Sequence, residues 1–192
     1  MTLRTIAFTL ALVAATAAFA ALNAGDPAPA FSATASLAGK PFAYTLKGGL
    51  AKGPVVVYFY PSAYTEGCNI QAHEFSSKAE QFAAAGASVI GVSLDSIERL
   101  NEFSADPDYC AGKLAVASDG EGRIARSFGL RVSGVQRGAT DTRGKEIGHG
   151  FTERTTFVVK RDGSILAAVG GVSPEENVAQ ALKLVRQLSK AR

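Results

Sequence analysis

Cys68 is the residue whose sequence surroundings most favour chemistry. It follows an apolar run, residues 55–60, and precedes a stretch with helical spacing, so it is expected in the first turn of a helix. Unpaired backbone N–H groups and the positive end of the helix dipole favour an anion there, and the thiolate is the nucleophilic form of cysteine. These residues predict a reactive thiol at a strand-to-helix junction. The alternative is a buried cysteine that packs as a small hydrophobic residue.

Composition excludes several other kinds of site. The chain has 192 residues, with only two Cys and two His. Two cysteines cannot hold a four-thiolate iron–sulfur cluster or a Cys-rich zinc module, and Cys68 and His73 do not have zinc-ligand spacing. The 20 Lys+Arg are dispersed among 17 Asp+Glu. No basic cluster marks a nucleic-acid surface, so we expect neither a metal nor a nucleic acid.

Strands and helices alternate along most of the chain. Predicted strands are 42–46, 55–60, 88–94, 114–118, 155–160 and 165–169, and predicted helices are 69–85, 96–104, 123–128 and one that begins with a capping box at Ser173. The run 55–60 has no polar alternation, which indicates a central strand buried on both faces. The pattern predicts one α/β domain, 21–192, with parallel central strands and an antiparallel C-terminal hairpin, as in thioredoxin-like folds.

The segment 131–153 shows no regular hydrophobic period. It is Gly-rich and carries Arg137, Arg143 and Lys145, so we expect an excursion over the surface. His149 lies in this segment and is expected to be exposed.

The first residues are typical of an export signal. Arg4 supplies the positive start, an apolar stretch follows, and Ala18-Phe19-Ala20 fits a cleavage site after Ala20, with Ala24 as the alternative position. A retained membrane anchor is the competing interpretation, since this stretch is nearly long enough to span a bilayer. A signal peptide over 1–20 predicts an exported protein, in a bacterial periplasm, where a disulfide can persist.

The spacing Pro61-x-x-x-Thr65-x-x-Cys68 resembles the active-site pattern of the peroxiredoxins. Residues 25–31 are similar to the N-terminal segment of that family, and residues 150–157 to the region that holds its active-site arginine. The resemblance covers nearly all of the chain after the signal segment, and it points to the Q-type branch, also called bacterioferritin comigratory protein.

This resemblance implies a thiol-dependent peroxidase that reduces hydrogen peroxide and organic hydroperoxides. Cys68 would be the peroxidatic nucleophile, Thr65 would hydrogen-bond the peroxide, Pro61 would shield the thiolate from water, and Arg154 would hold the thiolate and the transition-state oxygens. It also implies no metal, haem or flavin, a monomer, and electrons from an external dithiol donor such as a thioredoxin-like protein.

Two residues depart from the Q-type pattern. Glu66 stands where proline is common, and an inward-pointing carboxylate would oppose thiolate formation. His73 occupies the place where many members carry a second cysteine. Cys110 is therefore the candidate resolving cysteine, as in members that carry it in a later helix. A structural disulfide and an unpaired buried thiol are the alternatives.

Two other functions compete with the peroxidase. A thioredoxin-class thiol–disulfide oxidoreductase would carry Cys-x-x-Cys, whereas this chain reads Cys68-Asn69-Ile70-Gln71. A non-catalytic redox-sensing or partner-binding module of the same fold is the second rival, and Glu66 keeps it open.

Overall fold

A computed structural model describes residues 21–190, and the predicted signal peptide, 1–20, lies outside the described residues. The strands are β1 Ser32–Leu37, β2 Lys40–Thr45, β3 Val55–Phe59, β4 Ser88–Ser93, β5 Ala115–Ser118, β6 Thr155–Val159 and β7 Ile165–Gly170. The helices are α1 Leu46–Lys52, α2 Glu66–Ser77, α3 Ala79–Ala84, α4 Ile97–Ala105, α5 Arg123–Ser127 and α6 Pro174–Lys190. Between residues 21 and 190, no helix has the length and apolar character needed to cross a membrane.

The strands form one mixed sheet in the order β2-β1-β5-β4-β3-β6-β7. The pairs β3–β4 and β4–β5 are parallel, and the β6–β7 hairpin is antiparallel. This arrangement confirms the predicted α/β, thioredoxin-like architecture. Because β3 lies near the middle of the sheet, the loop that leaves its carboxyl end is held between neighbours on both sides.

Alternation along β3 divides the core between the two faces of the sheet. Val56, Tyr58 and Tyr60 belong to the cluster shared with α2, α4 and α6, while Val55 and Phe59 pack on the opposite face with α5. All five are at most 1% exposed. A strand buried on both faces needs apolar residues at every position, which explains the run predicted from the sequence.

Two elements near the N-terminus were not predicted. The sequence of β1, SATASL, has little β-propensity, yet β1 pairs with both β2 and β5. Gly48 and Gly49, which usually disfavour helices, lie inside α1, whose first turn is capped by the side chain of Thr45, with Gly48 N 3.0 Å from Thr45 Oγ1. Tertiary pairing and a cap therefore outweigh local propensity here.

The single helix predicted over 69–85 is wrong in its limits, since α2 begins earlier and α3 is separate. Thr65 is in the extended conformation of an N-cap residue, and its carbonyl oxygen accepts from Cys68 N at 2.9 Å. At the other end, the hydroxyls of Ser76 and Ser77 donate to carbonyl oxygens three residues back. Serine hydroxyls that bond helix carbonyls weaken and bend helices, and α2 ends there.

Candidate active site

Cys68 lies in the first turn of α2, at the carboxyl end of β3, as predicted. The side chain is buried, with 1% exposure, and both cysteines of the chain are free thiols. The strand β3 ends at Phe59, and the residues between it and α2 form a turn. The buried sulfur thus lies in the first turn of a helix, where the positive end of the helix dipole favours negative charge.

Arg154 supplies a positive charge to the thiol. It lies just before β6, which pairs with β3, and its Nη2 donates to Cys68 Sγ at 3.3 Å. Gly67 leaves room for this contact, because a Cβ at that position would lie 3.0 Å from Arg154 Nη2. The structure therefore brings together the two residues, 86 apart in sequence, that the resemblance paired.

Thr65 and Pro61 lie in the same loop as Cys68. The Thr65 hydroxyl donates to Ser62 O at 2.9 Å, and both residues are partly buried. Glu66 is exposed. Its carboxylate is thus solvated, which removes the close, buried negative charge that would have opposed a thiolate.

Arg154 is held by a buried chain of amides that the sequence interpretation missed. Its Nη1 donates to Gln71 Oε1, and Gln71 Nε2 donates to Asn177 Oδ1 at 3.0 Å. Asn177 also accepts from Thr156 Oγ1, and its Nδ2 donates to Val169 O at 2.9 Å. Gln71 lies three residues after Cys68, on the same side of a helix, and this spacing was the available signal.

The loop before Cys68 is fixed by a second buried group, centred on Asp95. The Asp95 carboxylate accepts from Ser62 Oγ at 2.9 Å and from Ala63 N at 2.8 Å. Arg99 Nε lies 2.9 Å from Asp95 Oδ1, and Arg99 Nη2 donates to Ala63 O. Asp95 was not among the predicted site residues.

The expectation that His149 is exposed is wrong. Its side chain is only 18% exposed, because Nε2 lies 2.9 Å from Asp95 Oδ1 and Nδ1 lies 2.7 Å from Gly150 O. The Asp95 carboxylate and the Gly150 carbonyl oxygen can only accept hydrogen bonds. Both ring nitrogens of His149 therefore donate, and the imidazole is doubly protonated and positively charged. Burial lowers the pKa of His149, but the Asp95 contacts outweigh burial and leave it raised. For Asp95 the directions are opposite: burial raises the pKa, but the hydrogen bonds from His149, Ala63 and Ser93 outweigh burial and leave the pKa lowered.

Part of the segment 131–153 closes over the active-site loop. Thr142 donates from its backbone N and its hydroxyl to Tyr64 O, each at 2.9 Å, and the Arg143 guanidinium lies 3.3 Å from the centre of the Tyr64 ring. Tyr64 has φ of +61°, which is strained for an aromatic residue. The predicted surface excursion is correct for most residues but not for the buried residues Asp141, Ile147, Gly150 and Thr152.

Cys110 lies in the turn after α4. It is 0% exposed and belongs to the same core cluster as Cys68. Burial raises the pKa of the Cys110 thiol well above its ordinary value, and the nearby Asp106 carboxylate raises it further. Cys110 is therefore held as a neutral thiol.

Comparison with known proteins identifies the family. The AhpC/TSA family model matches residues 24–168, three quarters of the chain. The chain belongs to the AhpC/TSA family. It is 32% identical over 136 residues to the chloroplastic peroxiredoxin Q of Sedum lineare, covering 70% of this chain and 64% of that relative.

Solved structures agree with this assignment. Peroxidoxin BcpB from Mycobacterium tuberculosis has a TM-score of 0.72 at 27% identity, covering 87% of this chain and 98% of that one. The Xanthomonas campestris bacterioferritin comigratory protein, which is described as having alkyl peroxide reduction activity, has a TM-score of 0.64 at 26% identity, covering 81% of this chain and 91% of that one. The prediction of a Q-type peroxiredoxin, a thiol-dependent peroxidase, is confirmed at the level of family and enzyme class.

Proposed function

We propose that Cys68 is the peroxidatic cysteine of this peroxiredoxin. Its thiolate attacks one oxygen of the peroxide, the O–O bond breaks, and Cys68 becomes a sulfenic acid. The other oxygen leaves with the bond electrons and takes up a proton, which gives water or an alcohol. The observation that carries the proposal is the 3.3 Å contact between Arg154 Nη2 and Cys68 Sγ at the start of α2.

The neighbouring residues have complementary roles in this step. Arg154 stabilises the thiolate and the charge that develops on the peroxide oxygens, since fixed donors aimed at developing charge provide large rate gains. The Thr65 hydroxyl, which donates to Ser62 O, has lone pairs left to accept a hydrogen bond from the peroxide. Pro61 has no N–H and its ring limits the access of water to the thiolate.

Cys110 resolves the sulfenic acid in this proposal. Its sulfur bonds to Cys68 Sγ, hydroxide leaves Cys68, and the Cys110 proton completes a molecule of water. Because Cys110 is buried and neutral, the proposed step includes an opening of the turn after α4 and of the start of α2, which lets the Cys110 thiol ionise and approach Cys68. An external dithiol then reduces the Cys68–Cys110 disulfide.

The proposed substrates are hydrogen peroxide and organic hydroperoxides. The latter is supported by the alkyl peroxide activity named for the Xanthomonas campestris relative. We further propose export to a periplasm, on the sequence of residues 1–20, with a thioredoxin-like dithiol protein as reductant and a monomer as the working form.

The test of the peroxidatic role uses the mature protein, hydrogen peroxide and dithiothreitol as donor. We expect Cys68→Ser to abolish peroxide consumption, because serine cannot form a sulfenic acid. A mutant that consumed peroxide at the wild-type rate would refute the proposal. A wild-type protein that is oxidised once but never turns over with any dithiol would support a redox sensor instead.

Intact-mass measurement tests the resolving role separately. After one equivalent of peroxide, wild type should lose two hydrogens as the disulfide forms, whereas Cys110→Ser should gain one oxygen. If Cys110→Ser lost two hydrogens through an intermolecular disulfide, another chain would supply the resolving thiol.

A further inference from the structure

Gln71 holds Arg154 only if its side-chain amide is turned the right way. An amide presents an oxygen acceptor on one side and an NH₂ donor on the other, and Arg154 has only donors. With the amide reversed, Gln71 would aim its NH₂ at the guanidinium, and the contact would become repulsive. Something beyond Gln71 must therefore fix its orientation.

The chemistry of the neighbouring groups shows what fixes it. Val169 O can only accept, so the NH₂ of Asn177 must face it, at the observed 2.9 Å. This places Asn177 Oδ1 on the other side, where it accepts from Gln71 Nε2 at 3.0 Å. The NH₂ of Gln71 is thereby committed to Asn177, and Oε1 is left for Arg154.

Burial makes this arrangement exclusive. Gln71, Asn177 and Thr156 are each 0% exposed, so no bulk water is present to pair a reversed amide. The Thr156 hydroxyl also donates to Asn177 Oδ1, which gives that oxygen a second partner. A reversed Asn177 would set donor against donor at Gln71 and acceptor against acceptor at Val169, each of them costly in a dry site.

We propose that Asn177, on the C-terminal helix, is a positioning residue for Arg154: it fixes the Gln71 amide so that the guanidinium stays directed at Cys68. The inference rests on the proposed role of Arg154. It links α6 and the β7 backbone to the reaction through the contacts Val169–Asn177–Gln71–Arg154–Cys68.

The primary test compares Asn177→Leu in two backgrounds. In the wild-type background, we expect the rate of Cys68 oxidation by hydrogen peroxide to fall about tenfold, the scale seen when a supporting hydrogen bond to a reactive group is removed. In a Gln71→Glu background, the same substitution should change the rate by less than about twofold, because both carboxylate oxygens accept and need no orientation. An equal loss in both backgrounds would overturn the proposal, as would an unchanged wild-type rate.

Val185→Ala is the matched control for stability. Val185 is fully buried in the same helix but has no part in the amide chain. It should lower the melting temperature while leaving the oxidation rate unchanged. If Val185→Ala slowed oxidation as much as Asn177→Leu, loss of helix packing would be the cause and the proposal would fail. Should Asn177→Leu not fold, Asn177→Ser, too short to join Val169 to Gln71, replaces it with the same expected result.

A second readout separates this inference from the proposed function. Alkylation of Cys68 by iodoacetamide at fixed pH reports how strongly Arg154 favours the thiolate, whether or not Cys68 reduces peroxide. We expect Asn177→Leu to slow alkylation in the Gln71 background and not in the Gln71→Glu background. If Cys68→Ser retains peroxidase activity while this pattern holds, the proposed function fails and the positioning role stands. An unchanged alkylation rate in both backgrounds would overturn the positioning role.

Discussion

Cys68 and Cys110 are chemically identical residues in one core cluster, but their surroundings differ. Cys68 stands at a helix start and accepts a hydrogen bond from Arg154. Cys110 stands in a turn, fully buried, where burial and the Asp106 carboxylate raise the pKa of its thiol. A positive charge beside a thiol favours the thiolate, whereas burial and a nearby negative charge favour the neutral form. We therefore expect the two thiols to differ in reactivity because of what the fold places beside each sulfur, since burial is common to both.

The largest expected effect comes from removing the cation beside Cys68. We expect Arg154→Leu to lower the rate of reaction with hydrogen peroxide on the order of 100-fold, since a fixed donor to the developing charge is lost. Stopped-flow measurement of Cys68 oxidation checks this. Arg161→Leu removes an exposed arginine whose contact is with Ala51 O and should have no effect. If Arg154→Leu lowered the rate of Cys68 oxidation by less than about threefold, the guanidinium would not be the cause of the difference in reactivity between the two thiols.

Alkylation of the reduced protein directly measures the difference in reactivity between Cys68 and Cys110. Iodoacetamide should modify Cys68 at least about tenfold faster than Cys110, because a guanidinium lies beside the Cys68 sulfur whereas burial and the Asp106 carboxylate hold Cys110 as the unreactive neutral thiol. Peptide mass spectrometry after timed quenching gives both rates in one sample. In denaturing urea the two rates should converge. Equal rates in the native protein would contradict the difference in environment.

A smaller effect is expected from loosening the turn that covers Cys110. The Ser76 hydroxyl donates to Tyr109 O at 2.6 Å and ties α2 to that turn. We expect Ser76→Ala to lower the free energy of unfolding by about 1 kcal/mol and to speed alkylation of Cys110 but not of Cys68.

Ser77→Ala is the matched control, because its hydroxyl bonds only within α2, to Glu74 O. It should leave both alkylation rates as they are in wild type. Equal acceleration of both thiols in Ser76→Ala would show that α2 opens as a whole.

The smallest effect concerns the charge pair behind the Cys68 loop. Because the folded pKa of His149 lies above its ordinary value of 6.5, its contribution to stability is complete below that pH and is lost as the pH rises through the folded pKa. We expect the free energy of unfolding of wild type to exceed that of His149→Gln by less than about 1 kcal/mol near pH 6, because solvent screens the charge pair. Near pH 9 the two free energies should be equal. Urea denaturation at both pH values measures the difference, and a gap that widened with pH would be contrary to the assigned protonation.

Features that depend on residues close together in the sequence were predictable from the sequence. The β3 run, the position of Cys68 at its end and the capping box of α6, where Glu176 N lies 3.2 Å from Ser173 Oγ, are local features. The strand β1 was missed because its stability comes from pairing on both sides. The β-propensity of a segment does not show which distant strands will pair with it.

The same limit applies at the site. The positions of Cys68 and Arg154 followed from motif resemblance, and their roles stay predictions. The supporting residues were not predicted, because Gln71 and Asn177 are 106 residues apart and Asp95 and His149 are 54 apart. Polar residues of these types are usually exposed, and only the fold shows that they are buried and paired.

Gly67 places a limit on how stable α2 can be. Alanine would be favoured over glycine in a helix by about 1 kcal/mol, so this position sacrifices part of the helix's own stability. A Cβ there would lie 3.0 Å from Arg154 Nη2, so the guanidinium that contacts Cys68 and Gln71 would have to shift by a few tenths of an ångström. A substitution that strengthened the helix at this position would therefore move the cation beside the thiol.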